Sequence, residues 1–159
     1  MVATPIAATS RYIPPGVTHY YWVPSIANYL SPSRAELNAG TDLTAEISAV
    51  SGFATSSDQQ DTPDLGSRFV GKIPGRISAD DSSITMYASS NSADARTLMP
   101  RDAAGFIVIF PEGDITGQKM DVFAVKVTSV PKSRDVENPA SMTFQYAITR
   151  IPAENVTIP

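Results

Sequence analysis

Thirteen prolines and nine glycines cut these 159 residues into short runs, with serine and threonine filling most of the gaps. A chain interrupted this often cannot build long helices, because proline removes a donor and glycine marks turns. Strands of five to ten residues joined by turns remain available. Thr18–Val23 (THYYWV) packs aromatic and β-branched residues up to Pro24 and reads as a strand. Its period places Tyr20 and Trp22 on one face and Tyr21 on the other. Asp42–Val50 alternates Leu43, Ala45, Ile47 and Ala49 against polar residues and predicts a half-buried strand. Phe69–Ser78 has strand composition broken by Gly71, Pro74 and Gly75, which implies an edge, a bulge or a bend. Ser82–Ala88 alternates again after the Asp80-Asp81 turn.

The last third is the most regular. Gly105–Phe110 is a fully apolar strand, and Met120–Val130 is a long one with Phe123, Val125 and Val127 on one face. Met142–Ile151 closes the series with Phe144, Tyr146 and Ile148. One or two short helices are expected. Ser33-Arg34-Ala35-Glu36 has the form of a capping box, and Ser92 stands where it would cap a brief helix ended by Pro100. The sum is seven or eight strands with one or two short helices, a mainly β domain of sandwich or partly closed barrel type. Residues 1–16, with three prolines and no period, are expected to form an arm, and residues 17–159 a single domain. Residues 54–68 are polar, carry Asp58, Asp61 and Asp64, and are expected to be a long exposed loop.

Composition excludes several chemistries. There is no cysteine, so disulfides, thiolate catalysis and Cys-ligated metals are ruled out. One histidine, His19, leaves no multi-histidine metal centre and no G-x-S-x-G elbow accompanies it. The formal charge of −4 argues against a protein that grips nucleic acid electrostatically. Residues 1–15 lack the basic and apolar regions of a signal peptide, and the longest apolar run, Phe106–Phe110, is far short of a membrane span. The carboxylate pairs Asp80/Asp81 and Glu112/Asp114 lie in turn contexts that Asx turns explain. Asp58, Asp61 and Asp64 lack the spacing, glycine and terminal Glu of a calcium loop. Gly71-Lys72 lacks the upstream glycine of a phosphate loop. No cofactor, metal or catalytic residue is expected, and the chain reads as non-enzymatic. The aromatic trio leaves a carbohydrate-binding β-sandwich as an alternative, and a capsid decoration protein is a second.

Read as phrases, the chain resembles the major tail tube protein of long-tailed bacteriophages, most closely those of actinobacteriophages. The likeness rests on PSRAELNAGTDLT at Pro32–Thr44, DTPDLGSRFVGKIPG at Asp61–Gly75 and DDSSITMY at Asp80–Tyr87. It continues with KMDVFAVKV at Lys119–Val127 and PAENVTIP at Pro152–Pro159. The resemblance implies a subunit of hexameric rings with a continuous inner β-barrel, stacked into a hollow tail tube in the virion and assembled in the host cytoplasm. About four strands per subunit would give 24. At about 4.8 Å spacing and roughly 40° tilt they enclose a bore near 40 Å, wide enough to pass phage DNA without gripping it. Its implied partners are further copies of itself and the tape measure, tail tip and tail terminator proteins, with no membrane. Within that picture Asp58, Asp61, Thr62, Pro63, Asp64, Leu65, Gly66 and Arg68 are expected to form the loop reaching the adjacent ring. Leu43, Ile47, Phe69 and Ile73 are expected at sheet edges between subunits, and Glu46 to face the lumen. No motif of the family assigns the lumen-facing positions.

Overall fold

The fold is given by a computed structural model that describes residues 3–159. Met1 and Val2, which belong to the expected arm, lie outside the described residues. Among the described residues eleven strands are β1 (His19–Val23), β2 (Thr41–Asp42), β3 (Ile47–Ser51), β4 (Thr55–Thr62), β5 (Gly71–Ala79), β6 (Ser82–Tyr87), β7 (Ala104–Phe110), β8 (Lys119–Ser129), β9 (Lys132–Ser133), β10 (Ser141–Ile148) and β11 (Ala153–Thr157). Two short helices, α1 (Arg34–Asn38) and α2 (Ala95–Leu98), and a 3-10 turn at Thr44–Glu46 complete the set. Residues 3–13 carry no helix or strand and are exposed, as an arm would be.

Nine strands form one antiparallel sheet in the order β2-β1-β7-β8-β10-β6-β3, with β11 joined to β8 and β9 to β10. This sheet has to roll. Laid flat, its six strand spacings would set β2 and β3 about 29 Å apart. Yet the five peptide links from Asp42 to Ile47 reach at most about 19 Å. The covalent connection between the two edge strands therefore draws the sheet into an open roll, which the structure leaves unclosed.

Alternation along the strands fills both sides of the central sheet. Trp22, Ile107, Phe123, Val125, Phe144 and Tyr146 point into the roll. Val23, Val108, Phe110, Met120 and Val122 point outward, where Leu37 of α1, Ala153 of β11 and Ile158 cover them. The split of Phe123, Val125 and Val127 from Met120 and Val122 is the one the sequence predicts. So is the placement of Tyr20 and Trp22 against Tyr21, whose ring packs 4.7 Å from Phe110 on the outer side. The capping box is formed as expected: Ser33 N–H donates to Glu36 Oε2 at 2.8 Å, and Glu36 N–H donates to Ser33 Oγ. Arg34, at the start of α1, pairs with Asp114, which also accepts the Tyr21 hydroxyl at 3.2 Å. Burial first, and then Asp114, push the Tyr21 pKa up to about 12. These contacts fasten α1 to the outer face of β1.

Four expectations need correction. The single strand over Asp42–Val50 is broken, because Asp42 Oδ1 accepts the Thr44 N–H at 2.9 Å and turns the chain into the 3-10 segment. The polar stretch 54–68 is not a loop throughout: Thr55–Thr62 is a strand paired with β5. The second helix is capped by Asp94, whose side chain accepts the Arg96 N–H at 3.0 Å, and not by Ser92. The strand after Ser141 ends at Ile148, and a further strand, β11, follows it.

Two predictions follow from this packing. A Cβ at Gly105 would sit 2.6 Å from the Trp22 ring, so Gly105→Ala is expected to lower the urea midpoint by an amount equivalent to about 1–3 kcal/mol. An unchanged midpoint would mean that the indole does not rest on that glycine. The Arg96 side chain, followed by backbone donors, holds the Asp94 carboxyl well below the usual carboxylate range. Its stabilisation is then complete above about pH 4 and is lost as the pH falls. In Asp94→Asn the acid-side decline of melting temperature should flatten; an identical decline would assign it to other groups.

Candidate functional site

β3 and β4 follow one another, as do β5 and β6, and each pair is antiparallel to the other. Residues 47–87 are thus one long ribbon bent near Gly52. Its lower half, β3 and β6, belongs to the rolled sheet, and its upper half, β4 and β5, stands out as a separate two-stranded hairpin. The bend is built from particular residues. Gly52 takes φ +80°, where a Cβ would lie 2.3 Å from the Asp81 carbonyl oxygen. Phe53, at φ 55°, turns its ring back against Phe123, 5.3 Å away edge to face, and against Tyr146 at 5.9 Å. The Ser82 hydroxyl accepts the Phe53 N–H at 2.9 Å and donates to the Asp80 carbonyl at 3.0 Å. Asp80 N–H donates to the Ala54 carbonyl and carries the ladder across the bend. The ribbon's root is therefore locked into the core.

Beyond the root almost nothing covers the hairpin. Thr55 Oγ1 reaches Glu154 at 3.5 Å, and Ile77 and Ala79 border a groove against Ile148–Pro152. Every residue from Ser56 to Thr62 is exposed. A Cβ at Gly75 would approach the Asp58 carbonyl to 2.9 Å, and the register slips by one residue on β5 at that point. The slip has a consequence for the faces. Ile77 stands beside Ser57 and Ile73 beside Gln60, three residues apart on β4 and so on opposite faces. Both isoleucines are exposed, so each face of the hairpin presents apolar surface. At the tip Leu65 is fully exposed and Phe69 is 79% exposed.

The residues singled out from sequence fall as follows. Asp58, Asp61 and Thr62 lie on β4, and Pro63, Asp64, Leu65, Gly66 and Arg68 on the tip between β4 and β5. Asp61 pairs with Lys72 at 3.4 Å, an exposed contact worth at most about 1 kcal/mol. Asp64 Oδ1 accepts the Gly66 N–H at 2.7 Å in an Asx turn. Phe69 belongs to the tip and not to β5, which begins at Gly71. Ile47 opens the edge strand β3 and is half-buried, and Glu46 is exposed at the end of the 3-10 turn. Leu43 has to be withdrawn from the edge set: its side chain is 5% exposed inside the roll, because the turn after Asp42 points it inward. The bend at Gly52-Phe53 went unread in the sequence, although an isolated Gly between two alternating runs marks such a site.

The aromatic trio is consumed within the domain. Trp22 is 2% exposed, and Tyr20 and Tyr21 pack against the two core clusters, so the trio itself offers no stacking platform for sugar rings. His19 lies 3.4 Å from Asp42 Oδ2 at the start of β1. Asp114 is engaged by Arg34. What the geometry leaves uncovered is a hairpin, a tip and a sheet edge.

The comparisons with known proteins define the class. The family described as phage tail tube protein matches residues 7–159. The chain belongs to that family, whose members are structural components of the virion tail. Among solved structures it is similar to a chain of the PVC sheath–tube complex of an extracellular contractile injection system in the extended state. That pair has a TM-score of 0.61 and 14% identity over 90% of this chain and 92% of that one. It is also similar to a chain of the PVC sheath/tube terminator in the extended state, with a TM-score of 0.62 and 14% identity over 91% and 99%. A chain of the anti-feeding prophage baseplate gives 0.54 and 10% identity over 94% and 95%. At these identities the likeness is one of fold. No curated protein sequence matches.

The bend supplies its own test. Gly52→Ala and Gly117→Ala place an alanine at similar positive φ, but Gly117 has open space where Gly52 meets backbone. Left-handed strain alone costs about 1–3 kcal/mol. Gly52→Ala should therefore lower the melting temperature clearly more than Gly117→Ala, and equal losses would show that the ribbon's root is not tightly held.

Proposed function

We propose that six copies of this chain form a ring, that rings stack into the hollow tail tube, and that phage DNA passes through its lumen without specific binding. The observation that carries this reading is the hairpin β4–β5. A two-stranded hairpin alone is at best marginally stable in water, and this one bears an isoleucine on each face and apolar residues at its tip. Contacts with neighbouring copies would cover both faces, and ring closure would remove the free edge of β3.

In this reading the tip, with Pro63, Asp64, Leu65, Gly66 and Arg68, reaches the adjacent ring together with Asp58, Asp61 and Thr62 of β4. Ile47, Ile73 and Phe69 lie at the lateral contacts. Glu46, exposed beside the edge of the roll, faces the lumen, where a carboxylate repels phosphate and keeps DNA from adhering. Six copies would carry a formal −24, six times the −4 of one chain. The work is one of shape, with no reaction catalysed. Assembly takes place in the host cytoplasm, and the tape measure, tail tip and tail terminator proteins are the tail partners.

Negative-stain electron microscopy of the purified chain is expected to show rings of six or long hollow tubes. Deleting Asp61–Gly66 should abolish tubes while rings persist. Tubes formed undiminished by the deletion variant would remove the stacking role from the tip. Trimers in place of sixfold rings would point to a capsid decoration protein.

A further inference from the structure

Among the described residues the seam of the roll is bridged through the backbone of Tyr20. At Tyr20 the carbonyl accepts the Leu43 N–H at 2.8 Å, and the N–H donates to Thr44 Oγ1 at 3.0 Å. Toward the start of β1 the two edges part. A groove opens there between Thr18 and Tyr20 on one wall and Ile47–Val50 on the other, with Pro14–Gly16 at its end. β3 is paired with β6 along one side only. Among the described residues, the outer side of β3 beyond Ile47 has no backbone partner. An unpaired edge beside a groove is a template for an added strand.

The same sequence contains a segment suited to it. Residues 3–13 are exposed and unpaired. Between Pro5 and Pro14 runs a proline-free stretch of eight residues, Ile6–Ile13, in which every backbone N–H can donate. Extended, it is about 26 Å long and sets Ile6, Ala8 and Tyr12 on one face. The family match begins at residue 7, so most of this stretch belongs to the region the family shares. The chain's own arm is directed elsewhere. Val17 and Thr18 N–H groups donate to the Pro14 carbonyl in a turn, and Tyr12 lies beside Glu112, in the turn after β7. β7 flanks β1 on the side away from β3. A cis arm thus leaves the groove open.

We propose that residues 6–13 of a second copy enter this groove as an added strand on the outer edge of β3. The inference rests on the assembly reading above. It gives the arm a specific seat: the neighbour's seam, where its apolar face covers Val50 and its backbone pairs the open edge. The groove's walls then join through the inserted strand, and each copy completes the fold of the next.

The absence of cysteine makes the test clean. Chains carrying Ala8→Cys or Ser10→Cys are mixed with a larger, tagged chain carrying Val50→Cys, assembled and then oxidised. A disulfide between the two chain sizes on a non-reducing gel is expected, and it forms only between copies. In parallel, a chain lacking residues 1–11 should keep its melting temperature and lose assembly. Assembled particles that give no mixed-size band at either arm position overturn the insertion and leave the tube reading intact. Normal assembly of the truncated chain does the same. Failure of the unmodified chain to form any oligomer overturns both.

Discussion

The structure is organised around β8, whose apolar side chains fill both layers of the core. Its inward residues Phe123, Val125 and Val127 and its outward residues Met120 and Val122 are all buried. One edge is paired with β7, and the other is shared between β11 near Met120 and β10 from Val125 onward. Fully burying one such side chain is worth about 1.5–3 kcal/mol, so these five alone anchor both layers of the domain. With β8 saturated, β1 and β7 extend the sheet one way and β10, β6 and β3 the other. The four residues linking β2 to β3 then force the roll.

Against that centre, the ribbon's outer half lacks the side-chain cover that β8 has on both faces. Its faces are uncovered, its ion pair is exposed, and its link to the body is the Gly52-Phe53 bend. A rigid root and an uncovered blade serve a repeating assembly. In the proposed assembly the root would fix where the blade points, and a neighbouring chain would supply the cover the blade lacks. The open seam between β1 and β3 is unsatisfied in the same way, through backbone donors and acceptors in place of apolar side chains. Both features lie in or border the stretch from residue 47 to residue 87, whose outer half departs from the rolled sheet.

Much of the body was legible in the sequence because burial imposes periodicity. β1, β7, β8 and β10 alternate or run apolar as their neighbours require, and Ser33 and Glu36 cap α1 as their spacing predicts. The failures have physical causes. Thr55–Thr62 contains no large apolar residue, so no pattern marks it; pairing with β5 makes it a strand. The alternation across Asp42–Val50 yields to one side-chain hydrogen bond, from Thr44 N–H to Asp42, which turns Leu43 into the core. β11 is short, and its register shifts between Ala153 and Val156, which blurs the alternation. The tip was read correctly as exposed, but which faces of the hairpin carry Ile73 and Ile77 depends on the slip at Gly75. A count of two along the chain gives the wrong answer there.

The central claim is that the hairpin β4–β5 is incomplete in the single chain and is completed by neighbouring copies. Hydrogen–deuterium exchange measured on free and assembled protein tests it directly. Amides of Thr55–Thr62 and Gly71–Ala79 should exchange rapidly in the free chain while those of β8 stay protected, and should become slow on assembly. Hairpin amides equally protected in both states, or equally open in both, would contradict the account.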